Sequence, residues 1–73
     1  MNKHLTAIVQ ADPPGFVALC PEIDVASQGM TIEESLANLR EAVELFYEYA
    51  SPGEVSARES GEVYITQLEV SVG

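Results

Sequence analysis

Short runs of apolar and β-branched residues in the first part of the chain predict three strands. Residues 3–10 alternate between two faces, and residues 16–20 are wholly apolar. Between these two runs, residues 12–15 read Asp-Pro-Pro-Gly, which predicts a hairpin turn. A weaker strand is predicted at residues 25–28, and Gly29 supplies the bend before the next element.

A helix is predicted from a capping-box pattern at residues 31–34. The Thr31 hydroxyl is expected to accept from the amide of Glu34, whose carboxylate is expected to reach back to the amide of Thr31. Apolar residues then recur at alternating steps of four and three, which places on one stripe Ile32, Leu36, Leu39, Val43, Phe46 and Ala50. The stripe is predicted to face the sheet. Ser-Pro-Gly at residues 51–53 ends the helix, and residues 54–61 are predicted to form a loop.

The remaining residues, 62–72, alternate again and predict a fourth strand. One side of it carries Tyr64, Thr66, Leu68, Val70 and Val72. The whole pattern predicts a single α+β domain over residues 1–73, with a three-stranded antiparallel sheet, one helix and a fourth strand in the order β-β-β-α-β.

Composition shows that the chain is apolar enough to fold and strongly negative. With 47% apolar residues the 73-residue chain is a folded protein and not a disordered acidic tail. Twelve Asp and Glu oppose three Lys and Arg, so the net charge is -9 and we expect no direct binding to nucleic acid. The same charge favours a basic protein as partner. Alternatively, the negative charge serves only to keep the protein soluble.

The cysteine and histidine content limits which disulfides and metal sites the chain can form. Cys20 is the only cysteine and His4 the only histidine, so the sequence predicts neither a disulfide nor a zinc site. We expect no cofactor. Residues 1–10 lack the apolar run of a signal peptide, and no stretch is long enough to span a membrane, so a cytoplasmic protein with no membrane partner is expected.

Two motifs resemble a known family. Residues 15–22, Gly-Phe-Val-Ala-Leu-Cys-Pro-Glu, resemble the glycine, aromatic, apolar, Cys-Pro-Glu core of HicB-like antitoxins. Residues 27–42, from Ser-Gln-Gly into the helix, look like that family's "T-x-E-E-A-L-x-N-L-x-E-A" segment. The resemblance implies a partial RNase H-like fold whose founding members neutralise HicA, a small basic RNA-cleaving toxin. Because the sequence ends at Gly73, a short form without the C-terminal DNA-binding module is expected.

Catalysis is not expected. RNase H-like nucleases hold divalent metals with carboxylates at the sheet centre, but residues 3–10 contain no acid, and Asp12 and Asp24 fall in predicted connections. A hairpin could bring Cys20 near His4, with Glu22 as the only obvious orienting group. We expect instead that Cys20 is a small core residue and that His4 is exposed. The sequence therefore predicts neither catalytic nor metal-binding residues.

The predicted helix presents an acidic face. Opposite the apolar stripe lie the candidate partner-binding residues Glu33, Glu41, Glu44 and Glu48, together with Glu34. Glu44 and Glu48 also oppose the helix dipole, and Arg40 is the only cation on the helix. This face is either a solvated surface or a docking site for a basic partner.

In the second predicted strand, Val17 and Leu19 point away from Ala18 and Cys20. Because one helix covers only one face of a sheet, the face that carries Val17 and Leu19 needs another cover. Phe16, Val17 and Leu19 are therefore candidates for an oligomer interface, and at least a dimer is predicted. The leading hypothesis is an antitoxin or antitoxin-like protein that inhibits by occlusion. The alternatives are a stand-alone homo-oligomeric domain without a toxin, which binds a small ligand or a regulator, and, as the weakest, an RNase H-like enzyme.

Overall fold

The computed structural model describes residues 3–59 and 61–73. In chain order the elements are β1 (Ile8–Asp12), β2 (Gly15–Cys20), β3 (Val25–Gly29), α1 (Ile32–Tyr49) and α2 (Pro52–Arg58). The strands form one antiparallel sheet in the order β1-β2-β3, and α1 lies across one face of it. The predicted α+β class with a three-stranded antiparallel sheet is confirmed.

The predicted hairpin joins β1 to β2. Asp12 pairs with Gly15 across a two-residue turn, and the Pro13-Pro14 peptide bond is cis. β1 begins later than predicted, because residues 3–7 have no strand partner and run beside the sheet. A second turn joins β2 to β3, and Asp24 there has φ 54°, a left-handed conformation that Asp tolerates better than most residues.

The register separates the two faces of the sheet. Ile8 pairs with Leu19, and Leu19 with Ala26. Because directly paired residues share a face, the face turned away from α1 carries Ile8, Gln10, Val17, Leu19, Ala26 and Gln28. Phe16, Ala18 and Cys20 alternate to the face beneath α1.

The N-terminus of α1 follows the predicted cap in part. The Thr31 hydroxyl accepts a 3.0 Å hydrogen bond from the amide of Glu34, as predicted. The Glu34 carboxylate, however, accepts from the amide of Met30 at 2.9 Å, one residue before the predicted donor. The chain leaves β3 in a tight bend, and a Cβ added at Gly29 would lie 2.6 Å from the amide nitrogen of Ser35. This close approach places Met30 within reach of Glu34.

The core is small. Its buried apolar residues are Ala18, Cys20, Ile23 and Leu39, and against them pack Leu5, Val9, Val25, Val43, Phe46 and Tyr47. The predicted stripe is thus confirmed at Leu39, Val43 and Phe46, but Ile32 is 46% exposed and Leu36 38% exposed. Fully buried in their place is Ser35, whose hydroxyl donates to the Ile32 carbonyl at 2.8 Å. Beside Gly29 there is room for only a small side chain.

A second helix replaces most of the predicted loop. Ser51 caps α2 through a capping box with Glu54, and Pro52 occupies the first turn. The prediction of a loop at residues 54–58 is therefore wrong; position 60 of that loop lies outside the described residues. The signal was present in the sequence, because Ser51-Pro-Gly-Glu54 has the same S/T-x-x-E spacing as the cap of α1.

Residues 61–73, hereafter the exposed segment, form no strand. Each of its side chains is exposed, including Tyr64 at 82% and Leu68 at 85%. The predicted fourth strand is therefore absent from the single chain. A strand requires a hydrogen-bonding neighbour, and this segment does not lie along either edge of its own sheet.

Candidate functional site

An open cleft lies between α1 and residues 3–7, which lead into β1. Its volume is about 810 Å³. The floor is apolar, with Leu5, Leu36, Leu39 and Val43, whereas the cations Lys3 and Arg40 line it together with His4. These are two of the three Lys and Arg residues of an otherwise acidic chain.

One wall of the cleft is held in place by Glu22. Its carboxylate accepts from the Thr6 amide at 2.9 and 3.1 Å and from the Thr6 hydroxyl at 2.6 Å. Burial acts to raise the pKa of Glu22, but the hydrogen bonds from Thr6, from the Glu22 backbone amide and from the Cys20 thiol together outweigh it, so that the pKa lies below its ordinary value. Glu22 therefore fixes residues 3–7 as an ionised carboxylate.

Cys20 lies in the same cleft as His4, but it is not an activated nucleophile. Only 1% of Cys20 is exposed, and its thiol donates to Glu22 at 3.6 Å. Burial raises the pKa of Cys20, and Glu22 raises it further, whereas a reactive thiol needs a lowered pKa. Cys20 is therefore buried, as expected, and His4 is exposed. In residues 3–59 and 61–73 no three His, Cys, Asp or Glu side chains are grouped to hold a metal.

The opposite end of the cleft is closed by a contact between α1 and the residue after α2. Tyr47 donates a short hydrogen bond to Glu59, which also forms a 2.7 Å ion pair with Lys3. Burial and then the Glu59 contact raise the pKa of Tyr47 to about 12. The hydrogen bonds from Lys3 and Tyr47 lower the pKa of Glu59. The Lys3 ammonium also lies 4.9 Å from the centre of the Tyr47 ring.

The predicted acidic face exists on α1. Its members Glu33, Glu41, Glu44 and Glu48 are all exposed. Glu34 differs from them because its carboxylate is engaged in the helix cap. Glu44 reaches the cleft, whereas the last turn of α1 has no basic residue to offset the dipole. The four exposed carboxylates lie on the same side of the helix, which we call the α1 acidic face.

The candidate oligomer residues lie on two sides of the sheet. Val17 and Leu19 lie on the face away from α1, beside Ile8, which is 40% exposed. Phe16 alternates to the face beneath α1 and is half-buried there. No helix covers the outer face within the described residues.

Sequence reasoning missed three residues that organise the cleft and its surroundings: Glu22 as the anchor of residues 3–7, Tyr47, and Arg58. Arg58 donates to the carbonyls of Ile23 and Asp24, which ties α2 to the turn between β2 and β3. One signal could have identified Glu22, since it ends the Cys-Pro-Glu motif. The contacts of Tyr47 and Arg58 span 12 and 35 residues and have no local pattern.

Comparison with known proteins decides the family. The chain is 46% identical over 50 residues to the UPF0150 protein ssl0738 of Synechocystis sp. (strain ATCC 27184 / PCC 6803 / Kazusa), a match that covers 66% of this chain and 69% of that protein. The chain belongs to the UPF0150 family. UPF0150 is a family of small HicB-like proteins, which agrees with the motif resemblance at that level. No family model matches the chain, and no solved structure matches it.

The described part of this UPF0150 chain also lacks any helix that combines the length and apolar character needed to cross a bilayer.

Proposed function

We propose that this UPF0150 protein is an antitoxin or antitoxin-like protein-binding domain that neutralises a small basic RNA-cleaving toxin by occlusion. The observation that supports this most is the α1 acidic face, exposed and without compensating cations in the last helical turn. A basic partner relieves the repulsion among these carboxylates and associates rapidly with a chain of net charge -9.

Inhibition needs no chemistry from this chain. The HicB-like motifs at residues 15–22 and 27–42 support a toxin of the HicA type as partner. Covering the toxin's RNA-binding and catalytic groups is sufficient, so the domain acts as a binding protein, not as an enzyme, in the cytoplasm. Its negative surface competes with the RNA phosphates for the same basic side chains.

The test is co-expression with a small basic protein encoded beside this chain. We expect a stable complex and loss of RNA cleavage by the toxin. Reversing three charges on the α1 acidic face, E41K, E44K and E48K together, is expected to weaken the complex by at least about tenfold, since the measured coupling of close interfacial charge pairs exceeds about 1.4 kcal/mol.

The matched control places the same charge change elsewhere. D12K, E62K and E69K alter net charge equally but lie at the end of β1 and on the exposed segment. If both triple variants weaken the complex to the same extent, long-range charge alone explains binding and the α1 acidic face is not the interface. Absence of any complex with a basic neighbour overturns the antitoxin proposal.

The uncovered outer sheet face favours a second candidate, a homo-oligomeric domain without a toxin. Ile8, Val17 and Leu19 form an apolar patch that a second copy could bury. The L19D variant distinguishes the two functions: loss of self-association with toxin binding intact supports the antitoxin, whereas a chain that self-associates and binds no toxin supports the second candidate.

A further inference from the structure

The exposed segment has the residue pattern of a strand, but it is not hydrogen-bonded to a neighbouring strand. Residues 63, 65, 68, 70 and 72 are apolar and Tyr64 is aromatic, and all are exposed. Large apolar side chains in such number are not normally left in water unless something binds them. The radius of gyration is 14.3 Å, whereas a compact chain of this length has about 11 Å.

Two edges of the sheet are available to an added strand, and they are not equivalent. At β3, Asn38 donates to the Gln28 carbonyl at 2.8 Å, and just before β3 Arg58 donates to the Asp24 carbonyl at 3.3 Å. These carbonyls point away from β2, and their side-chain donors occupy both ends of that edge. The β3 edge is thus partly blocked.

The β1 edge is open. The backbone groups of Gln28 point away from β2, so those of its partner Val17 point toward β1 and pair with Gln10. Because the direction of the backbone groups alternates along an antiparallel strand, those of Val9 and Ala11 point away from the sheet. The backbone groups of Val9 and Ala11 on that side have no hydrogen-bond partner in residues 3–59 and 61–73. An open edge of this kind is a template for another strand.

The cleft described above lies next to the start of β1, since residues 3–7, which line it, lead directly into that strand. A strand that pairs with β1 and continues past Ile8 would run along residues 3–7 and border the cleft. The exposed segment supplies a matching face with Tyr64, Leu68, Val70 and Val72. It also carries Glu62 and Glu69 and no Lys, Arg or His, whereas Lys3 and Arg40 line the cleft.

We infer that residues 62–72 form the fourth strand by pairing with the β1 edge of a second copy of this chain, and that the exchange is reciprocal. Eleven extended residues span about 37 Å, against about 17 Å for the five residues of β1. The segment is therefore long enough to pair along the whole edge. Exchange in both directions gives a closed dimer in which both β1 edges are covered. This inference does not depend on the antitoxin proposal.

The experiment measures the mass of the full chain by light scattering, and the protection of its amides by hydrogen exchange. We expect a dimer, twice the 7.9 kDa chain mass, with protected amides in residues 63–71. The variant L68D/V70D is expected to halve the mass and abolish this protection. The control Q67D/S71D adds the same charge to the opposite side of the same segment and is expected to remain dimeric.

A second variant tests the edge. Ala11→Pro removes an outward amide from β1, a position at which proline is tolerated on an edge strand. The variant is expected to be folded by circular dichroism and monomeric by light scattering. A monomeric wild-type chain overturns the inference, whether its segment amides are protected by its own sheet or unprotected. A dimer that survives both L68D/V70D and Ala11→Pro also overturns it, since the interface then lies elsewhere.

Discussion

Arg58 Nη1 donates a 2.8 Å hydrogen bond to the carbonyl oxygen of Ile23, which is fully buried. The same guanidinium lies 5.5 Å from the centre of the Phe46 ring. One side chain from α2 thereby joins the turn between β2 and β3 to α1. Since α2 has no buried residue of its own, this contact helps to hold it against the sheet.

Removing that attachment should destabilise the domain. We expect Arg58→Ala to lower the free energy of unfolding by about 1.5–3 kcal/mol, the usual contribution of a hydrogen bond to a charged group. Urea denaturation measures the change. Glu41→Ala serves as the control, because Glu41 is exposed on α1 and should change stability by less than about 0.5 kcal/mol. Equal losses in both variants would contradict the assigned role of Arg58.

The approach of β3 to α1 requires a glycine. A Cβ at position 29 would lie 2.6 Å from the backbone nitrogen of Ser35, so Gly29→Ala should destabilise the fold by about 1–3 kcal/mol. Gly53→Ala is the matched control. The added Cβ there would be 3.9 Å from its nearest neighbour, and within α2 it should stabilise by up to about 1 kcal/mol. Thermal denaturation of the two variants should shift in opposite directions.

Glu22 should make stability depend on pH in the acid range. Its pKa in the folded chain lies below the ordinary value of 4.5, so its contribution is present above that pH and is lost as the pH falls through the folded pKa. Glu22→Gln should therefore lower the free energy of unfolding near neutral pH and make it depend less on pH in the acid range. Urea denaturation across the acid range measures this. A Glu22→Gln variant whose curve coincides with that of the wild-type chain would refute the role of Glu22.

Tyr47 should titrate above the ordinary pKa of a tyrosine. Burial and the Glu59 hydrogen bond raise its pKa to about 12, so the stability it contributes is present below its ordinary value of 10.0 and is lost as the pH rises through about 12. Tyrosinate absorbance measures the titration. Tyr47→Phe assigns the late step, and Glu59→Gln should move that step to lower pH. A late step that persists in Tyr47→Phe would show that another tyrosine produces it.

Local patterns determined much of this protein. The apolar run at residues 16–20, the turn at residues 12–15 and the Thr31 cap each involve neighbours within a few positions, so the hairpin and α1 follow from the sequence alone. The same holds for the α1 acidic face, because a helix of known phase places Glu33, Glu41, Glu44 and Glu48 opposite its core side.

Tertiary structure decided what depends on distant residues. α2 has a local cap, but its position is set by Arg58 and Ile23, which are 35 residues apart. The cleft exists because Glu22 holds Thr6, 16 residues away, beside α1. Residues 62–72 have the periodicity of a strand, yet periodicity selects a conformation and does not supply a neighbour. Whether such a segment becomes a strand depends on which sheet edge is open, and only the folded chain shows that edge to be β1.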